Sequence, residues 1–235
     1  MLTFTLLDLQ QFAAQSNNAS LRAARENLYI TAVQFARQHG YNLKAAIPVA
    51  EMVKWLQPDQ IQPVMLVLDS LNQDRVLKPI EPLMRRFCLT LAVDLLPIYK
   101  DGDGHYDLAQ QLLRSAIAYY NGDLSESALG QACITADSTY TAHANLANGP
   151  LHAWYGLIRA CKTFLTAESM VSVMNAHTAA ITARIQGLPT KSGLPTHVPL
   201  ELAYRARKAQ EACVVKYHAL LLECLQTNPT RMVLP

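Results

Sequence analysis

Four side chains able to carry protons fall close together in the middle of the chain: Asp137, Tyr140, His143 and His152. Helical spacing places Asp137 with Thr141 on one face at i,i+4 and Thr139 with His143 on another, and Tyr140 points between them. His152 follows the next turn signal, close enough to join the group. A carboxylate, a phenol and imidazoles held out of water can exchange protons with a bound molecule. These four define the candidate ligand pocket. The competing reading is structural: the same groups hydrogen-bond adjacent helices, because buried polar atoms need partners.

Other constellations are poorer. Asp101, Asp103 and Asp107 crowd one loop, as a hard cation requires. With Asp101 at position 1 of a calcium loop, however, position 6 is Tyr106 rather than Gly and position 12 is Leu112 rather than Glu. Asp107 reads better as an acid at a helix N-terminus, where unsatisfied N–H groups and the helix dipole favour it. The seven histidines include no HExxH and no i,i+4 pair, so no zinc site is expected. Walker A, GxGxxG and GxSxG sequences are absent, which disfavours nucleotide hydrolysis, dinucleotide binding and the α/β-hydrolase class. No catalytic residue and no cofactor are assigned.

Charge is balanced overall, at +2, but not along the chain. Between Asp101 and Ile158 six acids face the single base Arg114, whereas between Arg184 and Lys216 six bases face Glu201 and Glu211. Arg205, Arg207 and Lys208 form the candidate interaction patch, suited to an acidic partner. A solvated helix face explains the same trio. Aromatic interleaving of the RNA-binding kind is missing, so nucleic acid is disfavoured as the partner.

The elements that must position these groups are helices. Leu and Ala are the dominant residues and Gly is scarce, at 9 of 235, a composition for helices joined by short loops. Leu6, Leu7, Leu9, Phe12 and Ala13 mark a short amphipathic piece. Asn18 caps a helix whose apolar positions are Leu21, Ala24, Leu28, Ala32, Phe35 and Ala36, and Gly40 ends it. Pro48 and Pro63 open short helices; Pro79 and Pro82 open one that runs to Pro97. Further helices are expected over 106–120, from Ser125 to about Leu146, from Leu151 to Leu165, to Ile185 and from Leu200 to Leu225. Asn148-Gly149-Pro150 is read as a stop. The small side chains of 132–145 suggest that the Ser125 helix is central and surrounded on several sides.

The residues Leu9, Phe12 and Leu21, with the run Ala32-Val33-Gln34-Phe35-Ala36-Arg37-Gln38-His39-Gly40-Tyr41, resemble the short helical domain of nitrogen-fixation-type leader peptides. That resemblance implies a domain recognised by other proteins. A second stretch runs through Cys88, Ala92, Leu96-Pro97, Leu113-Arg114, Tyr119 to Gly122, Ser125, Ala132, Ala136, Ala142 and His152-Ala153. It resembles bacterial immunity proteins, which implies an all-helical stoichiometric binder that neutralises a partner protein and carries no catalytic residue.

The expectation is an all-α protein, an irregular multi-helix bundle of about eight to ten helices, with a helical segment over 1–78 and a main bundle over 79–235. The N-terminus lacks a basic n-region and no apolar run approaches the length of a membrane span. Five scattered cysteines without a CxxC read as buried small hydrophobes. Together these predict a soluble, cytoplasmic chain that binds another protein, as an immunity, inhibitor or adaptor protein. A second copy of the chain is the other candidate partner. The alternative is an enzyme or small-ligand protein with its pocket at the 125–146 helix.

Overall fold

The computed structural model describes residues 2–14, 19–62, 64–65, 68, 80–100, 105–143, 148–162, 170–186, 199–227 and 231–234. Among them are nine α-helices and one two-stranded ribbon, an all-α multi-helix fold. The chain divides into two compact units, residues 1–83 with 214–228, and residues 84–213 with 229–235.

The first unit contains β1 (Thr3–Phe4), α1 (Leu6–Ala14), α2 (Ala19–His39), β2 (Ile47–Pro48) and α3 (Val49–Trp55). β1 and β2 pair antiparallel, Thr3 with Pro48 and Phe4 with Ile47. Thr5 and Asp8 cap α1 reciprocally: Thr5 N–H donates to Asp8 Oδ2 (2.8 Å) and Asp8 N–H to Thr5 Oγ1 (3.1 Å), which satisfies two otherwise orphaned donors. Ala24, Leu28, Ala32, Phe35 and Ala36 are buried, as their helical spacing predicts. Buried Arg25 lies 3.6 Å over the Phe12 ring and donates to Phe12 O at 3.0 Å, joining α1 to α2. Gly40 ends α2 at φ +73, a conformation costly for any residue with a Cβ. Pro48 precedes α3 as predicted; Pro63 and Pro79 lie outside the described residues.

The second unit takes most of α4 (Ile80–Lys100), all of α5 (Tyr106–Tyr120), α6 (Glu126–His143), α7 (Asn148–Lys162) and α8 (Met170–Gln186), and the first half of α9 (Leu200–Gln226). Its central helix is α4, in which Phe87, Cys88, Leu89, Leu91, Ala92 and Leu95 are all fully buried. Those positions form one broad face spanning about 200° of the helix, while Arg86, Thr90 and Asp94 on the other side are half-buried and Pro97 is exposed. The expectation that the Ser125 helix is central is corrected: α6 buries only the stripe Leu129, Cys133, Ala136 and Tyr140. Small size permits close packing, but polar small side chains gain too little from burial to require it.

Two further readings change. Pro97 does not end α4, which continues to Lys100. Its ring is exposed and the residues beyond it, Ile98 and Tyr99, are buried, a gain that offsets the roughly 3 kcal/mol a helical proline costs. Asn148-Gly149-Pro150 begins α7 rather than stopping its predecessor, because a first-turn proline loses no helical hydrogen bond.

Gly156 marks a close approach between helices. A Cβ there would stand 2.8 Å from Leu95 Cδ1 and 3.5 Å from Ala176 Cβ. Gly156→Ala is expected to be nearly neutral, since the Leu95 methyl can swing aside and alanine gains about 1 kcal/mol of helix propensity. Gly156→Leu has no such space and is expected to cost about 1–3 kcal/mol, read by urea denaturation.

Candidate functional site

Asp137 and Tyr140 do come together, and their partner is Trp154 of α7. The Trp154 indole N–H donates to Asp137 Oδ1 at 2.9 Å. Its ring stacks on Tyr140 with centroids 4.2 Å apart and planes 7° from parallel. Tyr99 meets Trp154 edge-on at 6.3 Å, and His105 meets Tyr140 edge-on at 5.2 Å. Trp154, Tyr140 and Tyr99 are buried. The Trp154 ring thus lies against both Tyr140 and Tyr99, and its indole engages one Asp137 carboxylate oxygen. His143 and His152 lie within α6 and α7, and their side chains are outside the described residues.

Sequence reasoning missed Trp154, Tyr99 and His105 at this cluster. It also missed His177, a buried imidazole on α8 whose Nε2 lies 3.3 Å from Asp94 Oδ2 of α4. Neither pair has a motif, because each joins residues on different helices.

The cysteines are all buried and none forms a disulfide. Burial pushes the Cys161 thiol well above its ordinary range, and the nearby Cys133 and Cys88 push it further in the same direction. Among the described residues no group of three or more His, Cys, Asp or Glu is arranged to hold a metal ion. Asp101 and Asp103 lie outside them; Asp107 is exposed in the first turn of α5. No described helix is long and apolar enough to cross a membrane.

The basic trio sits on the exposed part of α9, and each member has an acid on the same helix. Arg205 pairs with Glu201 at 2.6 Å, Arg207 with Glu211 at 3.3 Å and Lys208 with Glu211 at 2.8 Å. The Lys208 hydrogen bond and charge hold the Glu211 carboxyl below its usual range. These i,i+3 and i,i+4 pairs are those of a solvated helix face.

The outer face of α6 is the opposite case. Every exposed position from Ser127 to Ala142 is uncharged, and Ile134 stands 61% exposed at its middle. The Thr139 and Thr141 hydroxyls donate to the carbonyls of Thr135 and Asp137, each at 2.8 Å. Their hydrogen-bonding capacity is thus turned inward, towards the helix backbone. Beside this face a groove of about 350 Å³ separates α5 from α6, lined by Leu108, Leu112, Ala128 and Ala132 with Gln131 and Thr135. Ser125 fixes the start of the face, its Oγ accepting the Ala128 N–H at 3.3 Å.

No protein-family model, no curated protein and no solved structure matches this chain.

Proposed function

We propose that this all-α chain acts by binding another protein, as an inhibitor, immunity or adaptor protein, through the outer face of α6 and the groove beside it. The observation that carries the reading is the run of exposed, uncharged positions from Ser127 to Ala142 around Ile134. A surface helix normally carries charge on its solvent side, as α9 does. A face without charge can be desolvated by a partner with no ion left unpaired, which is the composition of an interface core.

The test compares proteins retained from the source cells by the wild-type chain, by Ile134→Arg and by Val215→Arg, a control at another exposed apolar residue. A protein retained by wild type and Val215→Arg but reduced at least about tenfold by Ile134→Arg supports the reading. That retention should persist in about 0.5 M salt, since an uncharged contact is not screened. Equal retention by Ile134→Arg overturns it. Light scattering identifies the case in which the partner is a second copy.

A further inference from the structure

The turn between α5 and α6 holds a piece of chain more than a hundred residues away. Asn121 accepts the Met232 N–H at Oδ1 (3.0 Å) and donates from Nδ2 to the Met232 carbonyl (2.8 Å). Asp123 forms an ion pair with Arg231. We propose that this turn is a binding site for extended polypeptide of the pattern Arg-apolar-x-apolar, and that the segment Arg231–Leu234 occupies it as a displaceable ligand in cis. This site is distinct from the outer face of α6, and the proposal does not rest on the function proposed for that face.

Three observations carry it. The amide of Asn121 pairs with both main-chain groups of one residue, as a neighbouring β-strand does, so it reads extended backbone and not one side chain. Along the bound segment Met232 and Leu234 are half-buried while Arg231 and Val233 are exposed, the period-2 alternation of a strand laid on a surface. Thirdly, the backbone of the turn is held by hydrogen bonds that do not involve its occupant. The Asn121 N–H bonds to Ile117 O (2.9 Å), Gly122 N–H to Tyr119 O (3.0 Å) and Asp123 N–H to Ala118 O (2.8 Å), with Gly122 at φ +81. This is a Schellman ending of α5. It fixes the main chain at Asn121 and Asp123 through the helix's own hydrogen bonds.

Specificity divides between the two side chains. The Asn121 pairing excludes proline at the central position, which lacks the N–H. The Asp123 pair is exposed, at 47% and 69% for its two side chains, so it selects for a basic residue while adding little affinity.

The experiment uses the full chain and the N-acetylated, C-amidated peptide Arg-Met-Val-Leu. Met232→Pro removes the N–H that Asn121 accepts and so weakens the hold of the cis segment while leaving the residues of the turn unchanged. Titration followed by the Asn121 side-chain amide resonance is expected to show peptide binding to Met232→Pro at least about tenfold tighter than to wild type, because the cis segment competes at high effective concentration. The same peptide N-methylated at its methionine should not bind, a control that leaves the protein unchanged. Absence of peptide binding to Met232→Pro overturns the proposal and leaves the contact a structural staple. Equal binding to wild type and Met232→Pro overturns occupancy in cis; undiminished binding of the N-methyl peptide overturns the main-chain recognition.

Discussion

Replacing Trp154 with alanine is expected to cost about 3–5 kcal/mol of stability. The indole is 1% exposed, stacked on Tyr140, edge-on to Tyr99 and bonded to Asp137, so truncation removes a large apolar volume and a hydrogen bond at once. Two milder changes separate these contributions. Trp154→Phe keeps a ring against Tyr140 and loses the donor, for about 1–2 kcal/mol. Asp137→Ala leaves the indole N–H without this acceptor, for about 1–3 kcal/mol. Combined in one chain, the two should cost less than their sum, since each removes the same hydrogen bond. Urea denaturation followed by far-ultraviolet dichroism measures all four. A neutral Asp137→Ala would mean that the carboxylate contributes nothing to the fold and is available for chemistry.

Alkaline pH provides the second large effect, through Cys161. Burial raises its thiol above the value it has in the unfolded chain, so the native state keeps a proton that the unfolded state releases. The unfolded state therefore binds fewer protons as pH rises, and stability falls. The contribution is complete below an ordinary thiol pKa of about 8.5. Above that it is lost at about 1.4 kcal/mol per pH unit, up to the raised native value. Cys161→Ala should lower stability at neutral pH through lost packing yet flatten the decline between about pH 8.5 and 10. An unchanged alkaline slope in Cys161→Ala would assign the decline to other groups.

Much of the helical plan was legible because it is local. Apolar spacing with a glycine stop at Gly40 marked one helix and apolar spacing alone marked Leu200 to Leu225. The helices found there run Ala19–His39 and Leu200–Gln226; Asn18, read as a cap, lies outside the described residues. The signals that misled were prolines, whose meaning depends on what lies beyond them: Pro97 is carried by the burial of Ile98 and Tyr99, and Pro150 opens a helix where a stop was read. Which helix is central was misjudged for a related reason. Small residues on α6 permit contact, but burial follows the apolar surface of α4. At the candidate site Asp137 and Tyr140 were found from their spacing, and Trp154 was not. The partner of a polar group across a turn depends on how the next helix is rotated, which no local pattern encodes. The pairing of Asn121 with Met232 is further still from legibility, since the two are 111 residues apart.

The broad buried face of α4 also sets a problem of timing for biosynthesis. Leu95, Asp94 and Tyr99 are met by Gly156, His177 and Trp154, residues translated long after α4 has left the ribosome. At about 5–20 residues per second, the gap between the end of α4 and the end of α8 lasts roughly 4–17 s. Through that interval the nascent chain carries a greasy helix with its cover not yet made. A chain of this design leans on chaperones, or on the speed of translation, in its middle third more than at either end.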